Sequence, residues 1–456
     1  MSATTPPIPG TPQPFLMPAV VAARLDNELE LRVVERPASP LVSVELVLDA
    51  GEGGIPRDQA GLAVLTAAAL DGGTRRRSGG EMARALEQLG CGVSGSAGWD
   101  DFTLAFSALP DRFDAVLELL AERILEPAFP DDEVARVRDQ RLAAIEQRRS
   151  DPSMLATVAI HSEIFASRVP YSRPLAGTQE SVSSFDSSSL RGYAEARIRP
   201  LGGGMAVAGP IPAESVEASV ARVFGGWTGA PEVTSEVEAA PRHPGPGVLI
   251  LDRPGAVQSE IRLGHVGIER ASPDYFPLRV FNGVLGGTFT SRLNLNLRER
   301  NGFTYGVRSS FRARRGRGPF TVATGVGTEH TVDAVREAFS EIRHLLDGGP
   351  SPDEIEAVKD YLVGVFPLTV ETTGQLAGRL GELFPYGLPD DYHARWRDQI
   401  SGVSAAGAHE AGRRNLRPGD LRVVVVGDSG AMRSGLEALG LGSVETIPAA
   451  EWDPQP

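Results

Sequence analysis

Two related α+β halves are what this sequence predicts, and three observations carry the expectation. A proline-rich, acidic stretch from Thr228 to Gly247, with Pro231, Pro241, Pro244 and Pro246, separates two periodic regions and reads as a linker. On both sides of it, segments of strand period alternate with segments of helix period. Similar phrases also recur across the linker at a spacing of roughly 200 residues, far longer than a solenoid repeat, which points to domain duplication. The expected division is a first domain over 18–227, a linker over 228–247 and a second domain over 248–445.

Taken in order, Leu41 to Leu48 alternates as a strand, with Val42, Val44, Leu46 and Leu48 on one face, and Ala60 to Asp71 carries an apolar helical run. Gly92 to Gly98 reads either as a glycine-rich turn or as a strand ahead of the strand Phe102 to Phe106. Asp111 to Leu125 is amphipathic. Phe129-Pro-Asp-Asp-Glu-Val then opens a long helix, its acids suited to the positive end of the helix dipole. Arg197-Ile-Arg-Pro-Leu followed by Met205-Ala-Val-Ala-Gly closes the half. The second half repeats the plan. Val248 to Leu251 and Ser259 to Gly267 are extended, Phe276 to Leu285 has helical spacing, and His330 to Leu346 is amphipathic. Pro350-Ser-Pro-Asp-Glu-Ile opens another long helix, and Asn415-Leu-Arg-Pro-Gly followed by Leu421-Arg-Val-Val-Val-Val-Gly closes the half.

The 456 residues are 41% hydrophobic, enough for more than one core, and the net charge of −14 gives no positive field to hold nucleic acid or an anionic membrane. One cysteine, Cys91, excludes an intramolecular disulfide and a cysteine-built zinc site, and it fits a reducing, cytoplasmic location. Met1 to Met17 lacks the basic and apolar regions of a secretory signal, and no run approaches the ~18 apolar residues of a membrane helix. The one dense basic run, Arg312 to Arg317, reads as a solvated loop between strands. Gly202-Gly-Gly204 and Gly325-Val-Gly327 do not complete a dinucleotide fingerprint, and Ser94 and Ser96 sit in no nucleophile elbow.

Further phrases are more specific. In the first half these are Leu41-Val-Ser-Val-Glu-Leu, Asp49-Ala-Gly-Glu-Gly, Ala60-Gly-Leu-Ala, Gly72-Gly-Thr, Leu86-Glu-Gln-Leu-Gly and Tyr171-Ser-Arg-Pro-Leu-Ala-Gly-Thr. In the second they are Asn282-Gly-Val-Leu-Gly-Gly, Ser291-Arg-Leu, Leu297-Arg-Glu and Thr304-Tyr-Gly-Val. In this order, from about Val20 to Gly440, the chain resembles the insulinase, pitrilysin and mitochondrial-processing-peptidase family. The resemblance implies two homologous domains, each an antiparallel sheet with helices on one face, closing like a clam around a cleft. It also implies a zinc site on the helix after Gly-Leu-Ala, where active members carry His-x-x-Glu-His. Those places fall here at Val64, Ala67 and Ala68, and the glutamates of a later helix fall at Ala143 and Ala144. Zinc needs N, O or S donors at ~2.0–2.3 Å, and all five residues are hydrocarbon. The seven histidines are scattered, with no pair at helical ligand spacing.

The same resemblance assigns Arg298 and Tyr305 to holding substrate and its developing oxyanion, a task that suits a guanidinium and a phenol. Their alternative is structural, with Arg298 paired to Glu299 and Tyr305 packed at the start of a strand. The segment around Gly95, Ser96 and Ala97 corresponds to the edge on which peptide substrates dock as an added strand. Gly283, Gly286 and Gly287 are expected to let a helix approach the sheet closely. The expected function is a non-catalytic, substrate-binding subunit of a heteromeric metallopeptidase, with no metal of its own. Zinc is expected in a separate partner chain carrying His-x-x-Glu-His. One alternative is a scaffold or peptide-binding protein without a part in proteolysis, as in the family members that form the core of a respiratory complex. Another is a different metal site using Asp100, Asp101 and Glu163.

Overall fold

A computed structural model describes residues 14–232 and 238–453, so residues 233–237 of the expected linker lie outside the described residues. In the first half, β1 (Val21–Arg24), β2 (Glu30–Glu35), β3 (Val42–Leu48), β4 (Val93–Ala97), β5 (Phe102–Ala108) and β6 (Gly204–Gly209) form one sheet in the order β1-β2-β6-β3-β5-β4. Its helices are α1 (Leu62–Ala69), α2 (Gly79–Gln88), α3 (Phe113–Leu125), α4 (Asp131–Ser150), α5 (Pro152–Ile164), α6 (Gln179–Ser183), α7 (Ser187–Arg197) and α8 (Ala213–Phe224).

In the second half, β7 (Gly247–Asp252), β8 (Gln258–Val266), β9 (Val307–Phe311), β10 (Pro319–Gly327), β11 (Arg422–Gly427) and β12 (Ser443–Pro448) form a sheet in the order β12-β7-β11-β8-β10-β9. Its helices are α9 (Tyr275–Asn282), α10 (Thr331–Gly348), α11 (Pro352–Val365), α12 (Thr373–Gly381), α13 (Leu383–Tyr386), α14 (Tyr392–Ser401), α15 (Ala405–Asn415) and α16 (Ser429–Ala438). Two π-helical segments, Gly283–Gly287 and Asn294–Arg300, follow α9. The duplication is visible in the strand orders, which superimpose with β7, β11, β8, β10 and β9 in the places of β2, β6, β3, β5 and β4.

The sheets are mixed where the sequence led us to expect antiparallel ones. β2 runs parallel to β6, and β7 runs parallel to both β11 and β12, while the other neighbours are antiparallel. The reason lies in the chain path. β6 and β11 each return to the sheet after a long helical excursion, the kind of connection that parallel neighbours require. Helix starts follow the local chemistry. Ser351 accepts from the Glu354 N–H at 3.2 Å and Glu354 accepts from the Ser351 N–H at 2.8 Å, a capping box with Pro352 in the first turn of α11.

Helices on one face is also too simple, because each sheet is covered on its other face by a helix of the opposite half. The apolar face of β3 meets its own helices, but the interleaved Ser43, Glu45 and Val47 lie under α12 rather than in water. Gly374, Gly378 and Gly381 of α12 face these three side chains, and Ser43 Oγ and Thr373 Oγ1 lie 2.8 Å apart. Phe384 from α13 lies flat on Gly204 of β6. Reciprocally, α5 of the first half packs on β8 and β11. There Arg262 donates to Ser153 Oγ at 2.7 Å and Arg422 to Glu163 at 2.7 Å. The described part of the linker is tied to the end of α5, with the Ala166 N–H bonded to Ala240 O at 2.9 Å.

The Arg312 to Arg317 run is a correction as well, being a latch between the halves instead of a solvated loop. It joins β9 to β10 and reaches across to the first half, where Arg315 pairs with Asp49 at 2.8 Å and its N–H donates to Asp100 at 3.1 Å. Arg314 lies over Trp99 and Tyr171, its guanidinium 5.1 and 4.7 Å from their ring centres. Burial beside Arg314 and Arg312 pushes the His161 imidazole down to about 3, so it stays neutral.

Glu45 gives this interface a pH dependence. Burial, with Asp101 and Glu382 as like-charged neighbours, pushes its carboxyl up to about 7. The folded chain therefore binds this proton more tightly than the unfolded chain does. The stabilisation is complete below the ordinary carboxyl value and is lost as pH rises through about 7. Melting temperatures measured from about pH 5 to 8 should fall more steeply for the wild type than for Glu45→Gln. Parallel curves would show that Glu45 does not titrate with folding.

Candidate functional site

The site is built around α1. Its N-terminus is held by Glu52, which is fully buried and accepts from the Gly61 N–H at 2.5 Å and the Ala63 N–H at 3.1 Å. Gly61 sits at φ 90°, a left-handed conformation that favours glycine, and allows the chain to turn onto this carboxylate. Arg173, also buried, reaches Glu52 Oε1 at 3.3 Å and donates to the carbonyls of Glu52, Ile55 and Pro56 at 3.1, 2.9 and 2.9 Å.

On α1, Val64 and Ala68 are half-buried and Ala67 is buried. α4 packs against α1 and carries Ala143 and Ala144 exposed on its surface. The fold thus brings together the two helices on which the resemblance puts the zinc-ligand positions. The side chains there do not fit zinc, because none of the five offers a donor atom. Among the described residues, no group of three or more His, Cys, Asp or Glu side chains is placed to hold a metal ion. Asp100 accepts instead from Tyr386 at 3.1 Å and Tyr171 at 3.4 Å, Asp101 is raised by burial and by Asp100, and Glu163 is bound to Arg422. The alternative metal site is therefore not assembled.

Gly95, Ser96 and Ala97 belong to β4, a strand at the edge of the first sheet, which settles the earlier choice between strand and turn. Gly95 lies against α1, where an added Cβ would stand 3.2 Å from the Ala67 carbonyl oxygen. Past Val93, whose carbonyl accepts from Arg123 at 2.9 Å, the strand bonds only to β5 among the described residues. The equivalent edge of the second sheet is plugged. Asn294 bonds both backbone groups of Val307, at 2.9 and 3.1 Å, and Asn282 donates to the Ser309 carbonyl at 2.9 Å. Gly286 does let the π-helical turn approach β9, since a Cβ there would meet Ser309, whereas Gly283 abuts Val358 of α11 and Gly287 abuts Asn282.

Arg298 lies in the second π-helical segment, 3.5 Å from Glu299, with its guanidinium 4.4 Å from the ring centre of Phe289. Tyr305 does not pack at the start of β9. It is 98% exposed, and Phe289 beside Arg298 is 68% exposed. The contacts that the sequence did not reveal are the exchanged helices and the arginine latch. The i, i+4, i+7 spacing of Gly374, Gly378 and Gly381 was the available signal for the first, since it marks a helix face made for close packing.

Residues 32–179 match the sequence profile of the insulinase family, peptidase family M16, and residues 184–362 match the profile described as the peptidase M16 inactive domain. A Helicobacter pylori protein named non-peptidase homolog YmxG is 24% identical over 408 residues, 88% of this chain and 92% of its own. A Bacillus subtilis protein named uncharacterized zinc protease YmxG is 24% identical over 310 residues, 68% of this chain and 74% of its own. The crystal structure of a peptidase M16 inactive domain from Pseudomonas fluorescens superimposes with a TM-score of 0.84 at 25% identity, covering 90% of this chain and 98% of that one. No helix among the described residues is long and apolar enough to cross a membrane. With both halves matched in order, this chain belongs to the insulinase family, peptidase family M16.

Proposed function

We propose that this chain is the non-catalytic, substrate-binding subunit of a two-chain zinc peptidase acting on peptides in the cytoplasm. The partner carries His-x-x-Glu-His and holds the zinc. This chain lends Arg298 and Tyr305 to the peptide carbonyl in trans, and the free edge Gly95-Ser96-Ala97 offers a strand on which an extended peptide docks. The carrying observation is an asymmetry within one chain. The helix α1, on which the resemblance puts the zinc ligands, packs beside α4 and β4 with hydrocarbon at Val64, Ala67 and Ala68, while Tyr305 is exposed to solvent. The name of the Helicobacter relative and the likeness to the Pseudomonas structure both agree with a chain that does no chemistry alone. The subunit interface should bury more than about 1,000 Å².

Mixing this chain with a His-x-x-Glu-His homologue from the same source tests the reading. The mixture should cleave peptides, and Arg298→Ala or Tyr305→Phe in this chain should lower kcat/KM by about 10²-fold or more, the effect of losing an oxyanion donor. A mixture whose activity ignores both substitutions would refute the lending of these groups, and absence of any complex would refute the pairing.

A further inference from the structure

A cavity of about 260 Å³ opens in the first half between the ends of α3 and α7 and the segment Pro127 to Phe129. None of its lining residues belongs to the second half, so it is separate from the helix exchange and from Arg298 and Tyr305. Its lining combines apolar side chains, among them Ile124, Leu125, Ile198 and the aromatic Phe129 and Trp227, with three arginines, Arg75, Arg191 and Arg199, against one carboxylate, Glu195.

The arginines are unusual in an acidic chain. Most arginines with side-chain contacts here meet a carboxylate, but Arg191 donates to the carbonyls of Ala128 and Phe129, at 3.3 and 3.1 Å. Arg199 likewise donates to backbone carbonyls, those of Glu195 and Ile198. Arg75 is exposed, and no carboxylate pairs with it among the described residues. Three positive groups thus share one hollow with apolar side chains in a protein of net charge −14. Phe129 adds a second, independent feature. Its ring is 1% exposed and its backbone is held at φ 46°, a region that bulky residues rarely occupy and that clusters at ligand sites.

We infer that this cavity binds a carboxylate carried on a small apolar body. The guanidinium groups match a carboxylate in charge and fork geometry. The volume lies just under the ~300–1,000 Å³ of pockets for drug-sized ligands, which suits a group the size of one apolar residue. The same chemistry is offered by a free organic acid and by the C-terminal residue of a peptide. The inference does not rest on the proposed pairing with a zinc-bearing chain.

Trp227 reports on the site by fluorescence, with Trp227→Phe removing the signal that belongs to it. The probes are 3-phenylpropionate and N-acetyl-Gly-Phe, each beside its amide, titrated into the full chain. Saturable quenching by an acid is expected, with binding at least about tenfold weaker for the amide and for the Arg75→Gln/Arg199→Gln double variant. Among the described residues Arg199 bonds backbone carbonyls and Arg75 pairs with no carboxylate, and an unchanged melting temperature confirms that the variant is folded. Binding of the peptide acid alone assigns the ligand as a chain terminus, and binding of both acids shows that a small acid suffices. No saturable binding at millimolar concentration, equal affinity for acid and amide, or an unaffected double variant would overturn the inference.

Discussion

Replacing Arg173 with methionine is expected to cost about 3–5 kcal/mol of folding stability, the range for removing one partner of a buried ion pair. Glu52 is fully buried and Arg173 is 4% exposed, so no water takes over the lost contacts. The substitution leaves Glu52 to the backbone N–H groups at the start of α1, and it also strips the carbonyls of Glu52, Ile55 and Pro56 of their common partner. Burial already pushes the Glu52 carboxyl up to about 7 against the pull of Arg173 and the helix N–H groups. Without Arg173 the carboxyl is neutralised at acid pH and stranded as a charge at alkaline pH. The loss should therefore be greater at about pH 8 than at about pH 6. Urea unfolding at both values measures it, and a cost below about 1 kcal/mol at the higher pH would show that the pair does not anchor α1.

The second large effect is expected at the exchange of helices. A Cβ on Gly204 would stand within clashing distance of Cε1 of the Phe384 ring, so Gly204→Ala forces α13, and α12 before it, away from the first sheet. Overpacking of this kind costs about 1–3 kcal/mol. Phe384→Ala opens the space, so the double variant should recover part of the loss, with a coupling of about 0.5–3 kcal/mol between residues 180 positions apart. Because the two residues belong to different halves, such coupling means that neither half melts independently. Strictly additive effects, with two separate transitions, would contradict the interlock.

The sequence made the elements legible wherever one local signal governed them. The alternation at Leu41 to Leu48, the apolar run before Asp71 and the Pro350-Ser-Pro-Asp-Glu-Ile start correspond to β3, α1 and α11 within a few residues. What local pattern could not convey was the destination of the polar face. Ser43 and Glu45 interleave with the apolar face of the predicted strand, and nothing local showed that they are met by a glycine-lined helix from more than 300 residues later. Arg314 and Arg315 failed in the same way, because a basic run looks solvated until Asp49, Asp100 and Trp99 are known to stand opposite it. The assignment of zinc positions rests on the surrounding phrases alone. Val64, Ala67 and Ala68 taken alone are ordinary helix residues, and only their register within a family pattern makes the missing donors meaningful.

Metal content is the most direct check on a chain that lends groups without performing chemistry. Zinc should be measured on this chain alone, on the zinc-motif homologue alone and on their purified complex. We expect essentially none on this chain and about one zinc per pair in the complex, all of it supplied by the homologue. Stoichiometric zinc on the lone chain, with zinc-dependent peptide cleavage, would contradict the reading of α1 as a helix that has lost its ligands.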